Sequence, residues 1–208
     1  KETWSLTQNT EPKWNKDKTR ADTEPNTPPT NYNKSEYRLY TDGSCPENSK
    51  VMVKNCEAGW GVAIFRDQRH LDPSPAENLE PTFELITGLF GPVETKHDAE
   101  HFLGAEYGSN NTGELTAICE GLKWILKQEN TEHPIALYYD SKYAAKITTG
   151  EFTAQSNKYL ATKARTLLQQ ARTTKTIRLE HIKGHSGDIG NDAADELANK
   201  GAKGQSCR

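Results

Sequence analysis

Residues 112–148 read TGELTAICEGLKWILKQENTEHPIALYYDSKYAAKIT. Leu115, Ile118, Cys119, Leu122, Ile125 and Leu126 recur at helical spacing, which predicts a helix over 112–128 with one apolar face. The run 135–139, IALYY, has the length and the β-branched and aromatic content of a strand. It runs into Asp140, and a short helix is expected over 141–148. Helix, strand and helix in so short a stretch mark a crossover, the device that joins parallel strands.

Working outward, 37–44 (YRLYTDGS), 59–66 (GWGVAIFR) and 83–90 read as three strands. A proline-rich turn fills 67–81, and 94–108 is an acidic loop. Downstream, a longer helix over 159–171 carries Leu160, Ala164, Leu167 and Leu168. A last strand over 176–182 and a last helix over 192–202 follow. Three strands and then alternating helices and strands predict a mixed α/β sheet, with an antiparallel start joined to parallel crossovers. Residues 1–36 are rich in Thr, Asn, Lys and Glu, contain Pro12, Pro25, Pro28 and Pro29, and have almost no aliphatic side chains, with the aromatic Trp4 and Trp14 as the exceptions to their polarity. Such a segment cannot build a core and is expected to be an extended or disordered linker. The domain is expected over 37–203, with a tail over 204–208.

The chain has 208 residues, enough for one domain with a core plus an appendage. Mean hydropathy is −0.88, and no apolar run is long enough to span a membrane. Residues 1–36 lack the apolar stretch of a signal peptide, so an intracellular protein, cytoplasmic or nuclear, is expected. The chain starts at Lys1 and its only methionine is Met52, so it is expected to be a processed product, a trimmed chain or a piece of a longer polypeptide. A net charge of −3 argues against a nucleic-acid partner until its distribution is examined. Residues 67–106 hold nine acids against two bases, whereas 142–183 hold nine bases against two acids. A basic segment is the footprint of phosphate binding, although it also suits a solvated helix face. The four cysteines show no zinc spacing. Cys119 falls on a helical apolar stripe, and Cys45 and Cys56 bracket one loop, either paired in an oxidising compartment or reduced in a cytosolic-type protein.

Four acidic residues stand in four separate motifs: Asp42 in YRLYTDGSC, Glu114 in NNTGELTAIC, Asp140 in IALYYDSKY and Asp195 in GHSGDIGNDAADELANKGA. Each has an ordinary role open to it. Asp42 can start the Gly-Ser turn, Asn111 and Glu114 have the spacing of a capping box, Asp140 can cap the helix after it, and Asp195 can be plain surface. Those roles give the four no reason to converge. A site for Mg²⁺, held by carboxylates together with substrate phosphates, does.

These motifs in this order resemble type 1 ribonuclease H, over about residues 37–201. The resemblance implies a ribonuclease H-like fold, a five-stranded mixed sheet flanked by helices. It also implies hydrolysis of the RNA strand of RNA–DNA hybrids with two Mg²⁺ ions (Mn²⁺ able to substitute), leaving 5′-phosphate and 3′-hydroxyl ends. The family's metal-binding carboxylates fall on Asp42, Glu114, Asp140 and Asp195, and its loop histidine on His185, expected to shuttle a proton or assist product release. One ion ionises the attacking water and the other stabilises the leaving oxygen, with Asp42 shared between them. Near the RNA strand the resemblance places Glu114, the Cys45 backbone and Asn110; Gly43 and Ser44 are expected to bind substrate, and Ser109 and Asn111 are candidates for phosphate or base-edge contacts. Ser141, Tyr143 and Phe152 are expected beside the hybrid, the two aromatic rings packing on sugars. The family often inserts a basic helical protrusion between Tyr143 and Tyr159, and this chain has only AAKITTGEFTAQSNK there. That departure suits a monomeric domain of a retroelement reverse transcriptase, with a polymerase attached or upstream. The alternatives are another nuclease of the same superfamily and an inactive hybrid-binding module.

Overall fold

The computed structural model describes residues 36–48, 56–67, 82–129, 133–184 and 187–208. Five strands, β1 (Tyr37–Ser44), β2 (Gly59–Asp67), β3 (Phe83–Pro92), β4 (Ile135–Tyr139) and β5 (Ile177–His181), form one sheet in the order β3-β2-β1-β4-β5. The β1–β2 and β2–β3 pairs are antiparallel, and the β1–β4 and β4–β5 pairs are parallel. The antiparallel start and parallel crossovers expected from the element order are therefore present. The helices are α1 (Asn110–Lys127), α2 (Lys142–Thr149), α3 (Lys158–Thr174) and α4 (Ile189–Ala202). None of the described helices is long and apolar enough to cross a membrane.

β1 lies at the centre, and its alternation divides two cores. Leu39 joins Val62 and Ile64 of β2, Ile118, Leu122 and Ile125 of α1, and Leu160 and Ala164 of α3 in the larger core. Tyr40 points the other way, to Phe65, Ala63 and Ala194 of α4, and stacks on Tyr138 at 4.6 Å between ring centroids. A period of two along the strand accounts for this division. Full burial of a Leu or Ile contributes about 1.5–3 kcal/mol, so the α1 and α3 side supplies most of the stability.

The smaller side depends on close approach instead. A Cβ on Gly61 would collide with the backbone of Ala194 and Ala198, and one on Gly59 with the backbone of Gly201 and Ala202. Helix α4 can therefore lie almost directly on β2.

Local caps fix the helix starts. Ser109 caps α1 and exchanges hydrogen bonds with Thr112, and Ser141 caps α2 by accepting from the Ala144 N–H at 3.2 Å. Asp188 caps α4 by accepting from the N–H groups of Gly190 and Asn191, so the helix begins at Ile189 rather than at 192. Asn157, at φ 52° before α3, accepts from the Glu106 N–H at 2.7 Å and ties the acidic loop to that helix. Between α2 and α3 the chain has only residues 150–157, so no extra helix protrudes there. In the exposed tail, Cys207 bridges to Phe90 on the edge strand β3, and Arg208 reaches the buried Glu120 at 2.9 Å and lies 5.1 Å over the Trp60 ring.

Two glycines separate close packing from propensity. Gly61→Ala should cost about 1–3 kcal/mol through overpacking. Gly121→Ala within α1, whose Cβ would meet Leu39, Thr41 and Leu137 of the sheet at ordinary distances of 3.6–3.7 Å, should stabilise by up to about 1 kcal/mol. Urea unfolding of both variants measures this, and equal midpoints would contradict the account of α4 packing.

Candidate metal centre

β1 and β4 are parallel neighbours with Thr41 opposite Tyr139. Asp42, still paired with Gly61 of β2, and Asp140, the residue just past β4, therefore lie side by side at the carboxyl ends of the two strands. The carboxyl ends of parallel strands are where open α/β sheets place their ligands. Glu114 arrives from α1. A Cβ on Gly43 would strike the backbone of Gly113 and Glu114, and one on Gly113 would strike the Gly59 carbonyl and the Gly43 Cα. With neither Cβ present, the first turns of α1 sit against the end of β1. Carboxylate oxygens of Asp42, Glu114 and Asp140 consequently lie within 4.8 Å of one another.

Asp195 comes from α4 on the other side of the sheet and lines the same cleft, about 290 Å³ in volume, with Asp42, Glu114 and Asp140. Gly43, Ser44, Cys45, Pro46, Asn110 and Asn199 complete its wall. The four acidic residues expected from separate motifs thus share one concavity.

The electrostatics are those of crowded acids. Burial, then the Asp140 charge, push the Asp42 carboxyl up to about 7, with Asp195 adding to the rise and the Gly43 N–H, donating to Oδ1 at 2.8 Å, opposing it. Burial and the Asp42 and Asp140 charges push Glu114 well above the usual carboxylate range. Glu114 Oε2 is buried and accepts no hydrogen bond. A buried acceptor without a donor is costly and calls for a partner outside the chain. The donors are all hard oxygens, a set that suits Mg²⁺ or Mn²⁺ rather than zinc or copper.

The remaining expected site residues divide. Asn110 lines the cleft, and its N–H donates to Asn48 Oδ1 at 2.9 Å. The Ser44 hydroxyl donates to Asn199 Oδ1 at 2.6 Å. Cys45 is buried at the cleft wall, its thiol raised by burial and by the neighbouring Cys56, whose own thiol donates to the Glu47 carbonyl at 3.3 Å. Ser109 and Ser141 use their hydroxyls as helix caps. Asn111 is exposed and is not part of the cleft wall. Tyr143 and Phe152 are exposed, with Lys146 4.9 Å from the Phe152 ring centroid. His185 lies outside the described residues.

Glu114 is not a capping residue, because Thr112 pairs with the Ser109 cap two residues earlier. Asp140 does not cap α2, because Ser141 does. Sequence reasoning missed Asn199. Its signal is the i, i+4 spacing from Asp195, which sets both on one face of α4. Asn191, one turn before Asp195, is buried, and its Oδ1 has no partner among the described residues.

The RNase H family model matches residues 34–203. A ribonuclease H of Bordetella avium is 32% identical over 172 residues, covering 78% of this chain and 88% of the relative. The foamy viral protease–reverse transcriptase, solved in complex with double-stranded DNA, matches with a TM-score of 0.52 and 19% identity over 81% of this chain and 94% of that one. LC11-RNase H1, solved in complex with an RNA/DNA hybrid, matches with a TM-score of 0.51 and 15% identity over 80% of this chain and 96% of that one. At those identities the solved structures establish the fold alone. The match across 34–203, with the Bordetella relative beside it, shows that this chain belongs to the RNase H family.

Proposed function

We propose that this chain hydrolyses the RNA strand of RNA–DNA hybrids at the cleft of Asp42, Glu114, Asp140 and Asp195, with two Mg²⁺ ions for which Mn²⁺ can substitute. The observation that carries this reading is the buried, unpartnered Glu114 Oε2 beside two further carboxylates. When bound, paired divalent ions at such a site lower the pKa of the attacking water and stabilise the leaving 3′-oxygen.

The chain's own residues divide the work. Asp42 lines the cleft with Asp140 and Asp195, and both add to the rise that burial gives its carboxyl, which supports a reading in which Asp42 would be shared between two ions. Glu114 and Asp140 would hold one and Asp195 would complete the other. Asn110 and the Cys45 backbone, at the cleft wall, are placed to read the 2′-hydroxyl that distinguishes RNA from DNA. The bases of 142–183 hold the DNA strand, with Tyr143 and Phe152 against its sugars. His185, which precedes α4 in sequence, moves a proton or aids release of product. LC11-RNase H1 is a relative by fold that was solved on a hybrid, which favours the same substrate class here. Residues 37–203 act as the catalytic domain, monomeric and intracellular, and 1–36 tether it to a polymerase, as in a reverse transcriptase.

Asp140→Asn is close to isosteric but a poorer ligand for a hard cation. It should lower single-turnover cleavage by at least about a thousandfold, on the scale of losing a principal transition-state contact, while hybrid binding changes little. Near-normal cleavage by the variant would remove the metal mechanism.

The acid cluster also sets a pH dependence. The Asp42 carboxyl is raised from 3.8 to about 7 in the folded chain, so between those values the folded state holds a proton that the unfolded state has released. Stability of the metal-free protein should therefore fall as pH rises from about 4 to about 7. Melting temperatures at pH 5 and pH 8 check this. Mg²⁺ should raise the value at pH 8 much more than at pH 5, and Asp42→Asn should remove most of that difference.

Hybrid affinity should fall steeply with salt. Roughly four neutralised phosphates give a log–log slope of about −3.6. Lys142→Gln should make the slope shallower by about one unit, measured by fluorescence anisotropy in Ca²⁺. An unchanged slope would move the footprint away from the basic segment.

A further inference from the structure

Helix α4 meets the sheet along two stripes. Ala194, Ala198 and Gly201–Ala202 lie against Gly59 and Gly61, backbone to backbone. Asp195 and Asn199 lie one residue further round, roughly 100° about the helix axis, and both line the cleft. The glycine contacts fix how closely α4 approaches, yet they contain no directional bond to stop the helix rolling about its axis. A small roll would swing Asp195 towards or away from Asp42, and the like charges of the two favour separation.

One polar contact resists that roll. Ser44 stands two residues beyond Asp42 on β1, and so on the same side of the strand. Asn199 stands one turn beyond Asp195, on the same side of α4. The 2.6 Å hydrogen bond from Ser44 Oγ to Asn199 Oδ1 spans 155 residues of sequence and joins the two elements one step from both carboxylates. With Oδ1 engaged by Ser44, the Asn199 amide N–H groups are left for the cleft, where a phosphate oxygen or the Asp195 carboxylate can accept from them.

We propose that the Ser44–Asn199 hydrogen bond is a latch that holds Asp195 at the correct separation from Asp42, making Asn199 a positioning residue for the cation site these two carboxylates would share. The inference rests on the metal-dependent reading given above. The latch acts through Asp195 rather than on the reacting atoms, so its loss weakens metal occupancy more than it slows the loaded enzyme.

The test combines Mn²⁺ titration calorimetry, the Mg²⁺ dependence of hybrid cleavage and thermal melting for Asn199→Leu, Ser44→Ala, the double variant and Ser44→Thr. Asn199→Leu and Ser44→Ala should each weaken the affected Mn²⁺ site by roughly three- to tenfold, the range that one hydrogen bond supplies. The Mg²⁺ needed for half-maximal cleavage should rise in proportion, and the deficit should shrink as Mg²⁺ is raised. The double variant should be no worse than either single one, because both remove the same bond, and Ser44→Thr should retain Mn²⁺ affinity. In an Asp195→Asn background, Asn199→Leu should weaken Mn²⁺ binding no further. Unaltered Mn²⁺ binding in Asn199→Leu overturns the latch, including where the melting temperature falls, since that pattern belongs to a merely structural contact. A further loss in the Asp195→Asn background overturns it as well. If the wild-type chain binds Mn²⁺ but cuts no hybrid in any metal, the proposed activity fails while the titrations still decide the latch.

Discussion

The contact between the end of β1 and the first turns of α1 governs this molecule. At Gly43 and Gly113 the two backbones lie where a single Cβ would overlap main-chain atoms. That approach puts Glu114 beside Asp42 with no intervening side chain. The rest of the cluster follows from sheet topology. The parallel β1–β4 register delivers Asp140 to the same edge, and the glycines of β2 let α4 come close enough for Asp195 to face the same cleft. Polar function at the sheet edge is thus specified by small residues that have no polar function themselves.

The cluster opposes folding. Three carboxyl groups within 4.8 Å, two of them with raised pKa values, are a burden that solvent would relieve if the site could open. What prevents opening is the large core behind it, where Leu39, Val62, Ile64, Ile118, Leu122 and Ile125 are all buried. Helix α1 serves both ends of this balance, since its apolar stripe anchors it and its first turns carry Glu114. Local strain of this kind persists only where surrounding packing over-determines it, and a cation binding only the folded state stabilises it by mass action.

Much of this was legible in the sequence, for reasons that differ by element. The helical stripe from Leu115 to Leu126 and the short runs 37–44 and 135–139 carry their periodicity locally, and they fold where that periodicity places them. The acidic motifs were legible because Asp42 and Asp140 fall at strand ends and Glu114 in the early turns of α1, whereas Asp195, midway along α4, stands out only through the motif around it. The rival roles for Glu114 and Asp140 failed for a local reason as well: Ser109 and Ser141 stand next to the helix starts and take the caps. The start of α4 was misplaced because its glycines resemble a loop, while the Asp188 side chain organises them into a first turn. Asn199 was invisible because nothing near it in sequence reveals a partner at Ser44. The substrate roles of Ser109 and Asn111 read poorly for the opposite reason, since a short polar run can serve a cap or a ligand equally well.

The cleft is open and its wall is polar, so geometry alone gives little grip on a long duplex. The eight-residue link from α2 to α3 leaves no protruding helix to add one. Affinity must then come from charge spread along the 142–183 segment or from a tethered neighbour, whereas selectivity for RNA must come from the few groups at the cleft wall. Those tasks obey different physics. Phosphate contacts are long-ranged, screened by salt and indifferent to sequence, while a 2′-hydroxyl is read only within hydrogen-bond reach. A domain divided in this way can take its grip from elsewhere in a longer polypeptide without altering the carboxylate cluster. An inactive binding module would need the reverse arrangement, strong surface contacts and no reason to keep Glu114 buried with a free oxygen. The crowding of acids is therefore the feature that most separates the catalytic reading from the tethering one.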